Sequence, residues 1–197
     1  MAPTSKRQAA AALLHFFDTY FPDHQAGLDE LVEWCVYKRY DKHQFLLEVG
    51  QEERHLRFLV SGMVRVFYQY AGQESNIHFY VQPGFISDIP AFLQHTSTRQ
   101  THQALTTVEL LVLERERYEY IVARYTCGKG LMQQYSNQLF HEQQAREQRY
   151  RTLSPEERYQ YLLTHKAHWL ATVPQYHIAS YLGITPETLS RIRRRIS

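Results

Sequence analysis

The chain has 197 residues, 44% of them hydrophobic and 14% aromatic, with a formal net charge of +2. That length buries one large core or two small ones, and the composition is too apolar for a disordered polymer. The near-zero charge excludes a global field for nucleic acid, but its placement is uneven: from Arg149 onward eight Lys and Arg face three Glu, a balance of +5 that leaves −3 for everything before. A near-neutral body with a basic end is the asymmetry expected of a chain that meets a polyanion there, with a merely solvated basic face as the other reading.

The stretch "KRQAAAALLHFFDTY" places basic residues before an apolar run, as a signal peptide does. His15 and Asp18 interrupt the run and no small-residue cleavage site follows, so an amphipathic helix over 7–20, ended near Pro22, is expected instead. Cys35 and Cys127 are the two cysteines, far apart and without a CxxC, which excludes a disulfide framework or a zinc site within the chain. No apolar stretch approaches the roughly 18 residues of a membrane span. A soluble, cytoplasmic protein without a membrane partner is expected.

From about Cys35 to Leu113 the segments shorten. "FLLEVG" (45–50), "RFLVSGMVRVFYQY" (57–70) and "SNIHFYV" (75–81) carry β-branched and aromatic residues between turn signals. Gly50, Gly62, Ala71-Gly72 and Pro83-Gly84 punctuate them at roughly ten-residue intervals, the rhythm of a small antiparallel sandwich or barrel. A last strand then runs into a helix near Arg115.

A helix is expected over 129–151, "KGLMQQYSNQLFHEQQAREQRYR", with Leu131, Tyr135 and Leu139 as an apolar stripe at i+4 spacing. The stripe suits pairing with a second copy; packing against the chain's own β region is the alternative. "LSPEERYQYLL" holds a capping-box pattern, with Ser154 as cap, Pro155 at the first helical position and Glu157 three residues after the cap. This helix is expected to end before Pro174.

The closing segment reads as a helix-turn-helix. A short helix starts at Val173-Pro174-Gln175 with Ile178, Ala179 and Leu182 inward, and Gly183 turns the chain in a left-handed conformation. Thr185 caps a second helix with Pro186 at its first position. At about 100° per residue Leu189, Ile192 and Ile196 share one sector, while Glu187, Ser190, Arg191 and Arg194 lie opposite. Those types suit base edges: Arg bridges guanine O6 and N7, Glu accepts from cytosine N4, and Ser takes either role. Arg193 and Arg195 flank the face as phosphate contacts, which add affinity without sequence information.

"IASYLGITPETLSRIRR" resembles the helix-turn-helix of the Crp/Fnr family of bacterial transcription regulators, especially the E-T-hydrophobic-S-R pattern of Fnr-like members. By that resemblance the fold is α+β: an N-terminal antiparallel β roll of the cyclic-nucleotide-binding, jelly-roll-like type (1–127, with "VSGMVRVFY" as its glycine-turn strand pair), a long dimerisation helix (128–152) carrying Leu131, Tyr135 and Leu139, and a C-terminal helix-turn-helix domain (153–197) without the β-hairpin wing that relatives usually carry. It implies base reading by Glu187, Ser190 and Arg191, with Thr185, Thr188, Arg193, Arg194 and Arg195 on phosphates and flanks, by a homodimer on a pseudo-palindromic operator. Pro186 stands where some relatives carry another base-contacting Arg.

In nucleotide-binding relatives a helix start and an Arg cradle the cyclic phosphate while a Glu holds the ribose hydroxyl. The matching stretch here, "QPGFISDIPAFLQHTSTRQTHQA", departs: Pro83 and Ser87 replace glycines, Asp88 replaces the Glu, and Thr98 falls at the Arg position with Arg99 one residue late. A one-residue slip in a strand points a side chain to the other face. Ser87, Asp88, Thr98 and Arg99 are therefore candidates for the pocket of an unidentified small effector, and cAMP is not the expected ligand. No cofactor or metal is expected: two cysteines are too few for an iron–sulfur cluster, and the eleven histidines offer no HxH, His165 and His168 being an i,i+3 pair at most. No GxSxG, P-loop or HExxH occurs, so no enzyme is expected. Two alternatives stay open: a ligand-binding β-roll module with a protein-interaction tail, and a cupin-like metal enzyme.

Overall fold

The computed structural model describes residues 5–22 and 26–196; the side chains at 126–131, 134 and 138, those of Cys127 and Leu131 included, lie outside the described residues. Helix α1 (Lys6–Tyr20) starts at a capping box, in which Ser5 Oγ accepts the Gln8 N–H and Gln8 Oε1 accepts the Ser5 N–H. Ala9, Leu13 and Phe17, one helical stripe, are buried. A short α2 (Leu28–Trp34) follows, then strands β1 (Val36–Tyr40), β2 (Phe45–Leu47), β3 (His55–Ser61), β4 (Val64–Tyr70), β5 (Gln73–Tyr80), β6 (Gly84–Phe85), β7 (Thr101–Ala104) and β8 (Val108–Glu114), with α3 (Ile89–Gln94) between β6 and β7.

The strands pair antiparallel in two four-stranded sheets, ordered β1-β8-β3-β6 and β2-β7-β4-β5. Leu46, Leu59, Val64, Ile86, Ala104, Val108, Leu110 and Val112 fill the space between them. The other side of the first sheet is covered by α1, where Phe16 meets Phe58 and Phe85 edge-on at ring distances of 5.3 and 5.7 Å. Burial from both sides explains why β8 carries an unbroken apolar run from Leu110 to Leu113. Gly62 makes the β3–β4 turn at φ +97°, and a Cβ there would lie 2.3 Å from the Thr107 carbonyl oxygen. Only glycine fits both the angle and the space.

Helix α4 (Arg115–Arg124) leads into α5 (Thr126–Thr152), which starts three residues before the expected 129. Tyr135 and Leu139, expected to face a second copy, pack against the chain's own roll, and Tyr135 donates to the Phe85 carbonyl oxygen at 2.5 Å. Ser154 and Glu157 form the expected capping box at the start of α6 (Pro155–His165). That helix ends before Pro174, as expected. It stops at Lys166, and a separate α7 (Ala167–Thr172) delivers Trp169, 2% exposed, into the core. The chain closes with α8 (Gln175–Leu182) and α9 (Pro186–Ile196).

Candidate nucleic-acid interface and roll pocket

Helices α8 and α9 meet across a three-residue turn. Gly183 takes the left-handed conformation, φ +68° and ψ +33°, and Ile184 N–H returns to the Ala179 carbonyl. Thr185 Oγ1 accepts the Thr188 N–H at 3.3 Å, capping α9. Ile178, Ala179, Leu182, Leu189 and Ile192 are buried together and Ile196 packs beside them. Glu187, Ser190, Arg191 and Arg194 remain exposed on the opposite side of α9, with Arg193 and Arg195 exposed beside them. The burial demanded by three apolar residues thus fixes which four polar ones face solvent.

Local contacts arrange that face. Arg191 donates to Thr188 Oγ1 at 3.2 Å. The Glu187 carboxyl is held below the usual range by its own backbone N–H and by the Thr185 hydroxyl, so it stays an acceptor. Arg195 pairs with Glu156 of α6 at 3.4 Å, an exposed contact of small energetic weight. That pairing ties the end of α9 to α6.

The four expected pocket residues divide. Ser87 Oγ accepts the Arg57 N–H at 2.8 Å and donates to the His55 carbonyl at 2.9 Å. Asp88 caps α3 by accepting the Ala91 N–H, and Thr98 donates to its other oxygen at 2.6 Å. Thr98 is buried and Arg99 exposed, and neither lines the cavity; Arg99 sits in a bend ahead of β7, so strand alternation does not decide its direction. The α3 start is therefore already occupied by a carboxylate, which opposes any phosphate there. Next to it Glu53 and Arg57, 0% and 4% exposed, form an ion pair at 2.6 Å; burial pushes the Glu53 carboxyl up against the pull of Arg57.

A cavity of about 430 Å³ lies between the roll, α5 and the turn after α8. Ser87 and Asp88 line it from the roll, together with Val66, Ile77 and Tyr80; α5 supplies Leu139, Glu142 and Arg146, and Tyr181 and Gly183 close the end. This volume falls within the range that holds small organic ligands. Among the described residues no group of three or more His, Cys, Asp or Glu is placed to hold a metal.

Sequence reading missed the seam between the roll and the helix-turn-helix. Ser180 Oγ accepts the Asn76 N–H at 3.1 Å and donates to the Glu74 carbonyl at 3.2 Å. Asn76 Nδ2 lies 3.3 Å from His177 Nδ1 and donates to the His177 carbonyl. Phe79 packs edge-on to Trp169 at 5.2 Å. Burial pushes the His177 imidazole down to about 4, with Arg65 adding to the effect. A bulge hides this seam from the sequence pattern. Val66 pairs with His78 and Phe67 with Asn76, so Ile77 is an extra residue and the alternation of "SNIHFYV" breaks in the middle.

Residues 37–125 match the model of the cyclic nucleotide-binding domain. Among curated proteins none matches in sequence. Solved structures do. FixK2 from Bradyrhizobium japonicum aligns with a TM-score of 0.73 at 16% identity, over 82% of this chain and 84% of that one. A CooA mutant from Carboxydothermus hydrogenoformans gives 0.68 at 20% identity, over 84% and 78%. The c-di-GMP-responsive global regulator CLP of Xanthomonas campestris gives 0.64 at 16% identity, over 86% and 89%.

Proposed function

We propose that this chain, which carries a cyclic nucleotide-binding domain and shares the fold of the Crp/Fnr regulators FixK2, CooA and CLP, is a sequence-specific DNA-binding transcription regulator acting as a homodimer. The observation that carries the reading is the outer face of α9. A carboxylate, a hydroxyl and two guanidiniums stand exposed on one side of a helix whose other side is buried to 1% at Leu189 and 5% at Ile192. Glu187, Ser190 and Arg191 read base edges in the major groove. Thr185, Thr188, Arg193, Arg194 and Arg195 hold phosphates or flank the reading set.

Twofold symmetry repeats the reading face, and the two copies enter successive major grooves about 34 Å apart. With Tyr135 and Leu139 spent on the roll, pairing through α5 falls to its outward face, where Phe140 is 56% exposed. A small effector in the cavity between roll, α5 and α8 would bias how the two reading units are held. The α3 carboxylate argues that this effector is not cAMP. The roll serves regulation and catalyses nothing in this reading.

Selection of binders from a randomised DNA pool, at two salt concentrations, tests the proposal. A palindromic motif whose affinity falls steeply with salt is the expected result, because each neutralised phosphate releases counterions. Absence of any binding would leave the roll and its ligand as the protein's business and overturn the regulator reading.

A further inference from the structure

The cavity holds a cation whose neighbours leave it incompletely matched. Arg146 of α5 donates through Nη2 to the Asn76 carbonyl oxygen at 3.1 Å and lies over the Tyr150 and Tyr181 rings, 5.1 Å from each centroid. Its Nε is buried with no acceptor, and Asn76 Oδ1 is buried with no donor. Among the described residues no carboxylate pairs with Arg146. The acids that share the cavity wall are otherwise engaged: Glu142 with Lys166 at 2.8 Å, Glu147 with Arg151 at 2.6 Å, and Asp88 with Thr98 and the α3 backbone. Beside these polar groups the cavity wall carries the apolar surfaces of Tyr68, Tyr80, Ile77 and Leu139.

A half-buried guanidinium lacking an anion, in a cavity with flat apolar walls, defines the chemistry of its guest. We propose that the cavity binds an aromatic organic anion, with its carboxylate, sulfonate or phosphate on Arg146 and its ring body against Tyr68, Tyr80 and Leu139. The anion site is thus on the long helix and not at the start of α3, where Asp88 already supplies the negative charge. Arg146 also bonds β5 and stacks on Tyr181 of α8, so an anion there touches the roll, α5 and the reading unit at once. The inference rests on the regulator reading only for its consequence, control of DNA binding; occupancy of the cavity stands apart from it.

Two fluorescent probes separate the charge from the body: 1-anilinonaphthalene-8-sulfonate and its neutral counterpart N-phenyl-1-naphthylamine. Titrated into the full chain, the sulfonate should saturate at one site per protomer and bind about tenfold or more tighter than the neutral probe, as a charge-assisted pair in a partly buried site does. Arg146→Gln should erase that preference and leave the neutral probe's affinity unchanged. Ser75→Trp, at an exposed cavity-wall position of β5, should weaken both probes without touching Arg146 and guards against a poorly folded Arg146 variant. Equal affinity for the two probes, or a preference that survives in Arg146→Gln, overturns the proposal. DNA binding measured on the same samples without probe reports on the regulator reading independently.

Discussion

Arg57 and Glu53 form an ion pair deep inside the roll, and the pair depends on both members. Glu53 Oε2 takes Arg57 Nη1, Oε1 takes the His55 N–H, and Arg115 donates to the Glu53 carbonyl. Arg57→Leu leaves a buried carboxylate without its cation and should cost about 3–5 kcal/mol in urea unfolding. The double change Glu53→Leu, Arg57→Leu should recover most of that loss. Equal losses in single and double variants would mean that packing, not charge, is what the pair contributes. Histidines give the roll and its seam a pH dependence of definite sign. Burial pushes His102 down to about 3, and His78 and His177 to about 4, each below its unfolded value of about 6.5. Between those values the unfolded chain binds more protons than the native one, so stability is complete above about pH 6.5 and is lost as pH falls toward 4. Melting temperature should therefore hold from pH 7.5 to about 6.5 and decline from there toward pH 4.5, and His102→Gln should flatten part of the slope. A melting temperature independent of pH over that interval would contradict the burial of these rings.

At the scale of the elements, what could be read from sequence was what local chemistry dictates. Gly183, Thr185 and Pro186 announced the turn and the start of α9, and the Ser154-to-Glu157 spacing announced α6. The outer face of α9 followed from the positions of three apolar residues. Other features depend on partners that no window of sequence contains. Helix α3 is held by Asp88 and Thr98, ten positions apart, and the register of β5 is set by a bulge opposite β4. Periodicity put Tyr135 and Leu139 on one stripe of α5; it carried no information on whether the stripe meets a second copy or the Phe85 strand. The Gly183 turn offers a direct check on the α8–α9 geometry. Gly183→Ala places a Cβ in the left-handed region and 3.1 Å from the Tyr150 ring. A loss of about 1 kcal/mol or more in urea unfolding is expected, and an unchanged midpoint would contradict that backbone conformation.

Across the whole molecule the α8–α9 unit is not a bead on a string. Phe79 and Leu105 of the roll share one buried cluster with Trp169, Tyr181, Leu189 and Ile192, and Tyr150 of α5 donates to the Tyr181 carbonyl. Basic charge collected at the end of the chain is thereby mounted rigidly on a near-neutral body. In the proposed homodimer, pairing through the outward face of α5 would put Phe140 at the contact, and Phe140→Glu should then shift the protein toward monomer in sedimentation velocity. Retention of the dimer in that variant would move the interface elsewhere on the chain.

In the proposed function α9 reads sequence, and two of its arginines separate reading from mere attraction. On the selected operator and on a scrambled duplex of equal length, the affinities of Arg191→Ala and Arg194→Ala should differ in kind. Arg191→Ala should lose about 1–3 kcal/mol on the operator and little on the scrambled duplex, relaxing one base position. Arg194→Ala, if it holds a phosphate, should weaken both alike and reduce the salt slope by about one. Full operator preference in Arg191→Ala would contradict the assignment of α9 as the helix that reads DNA.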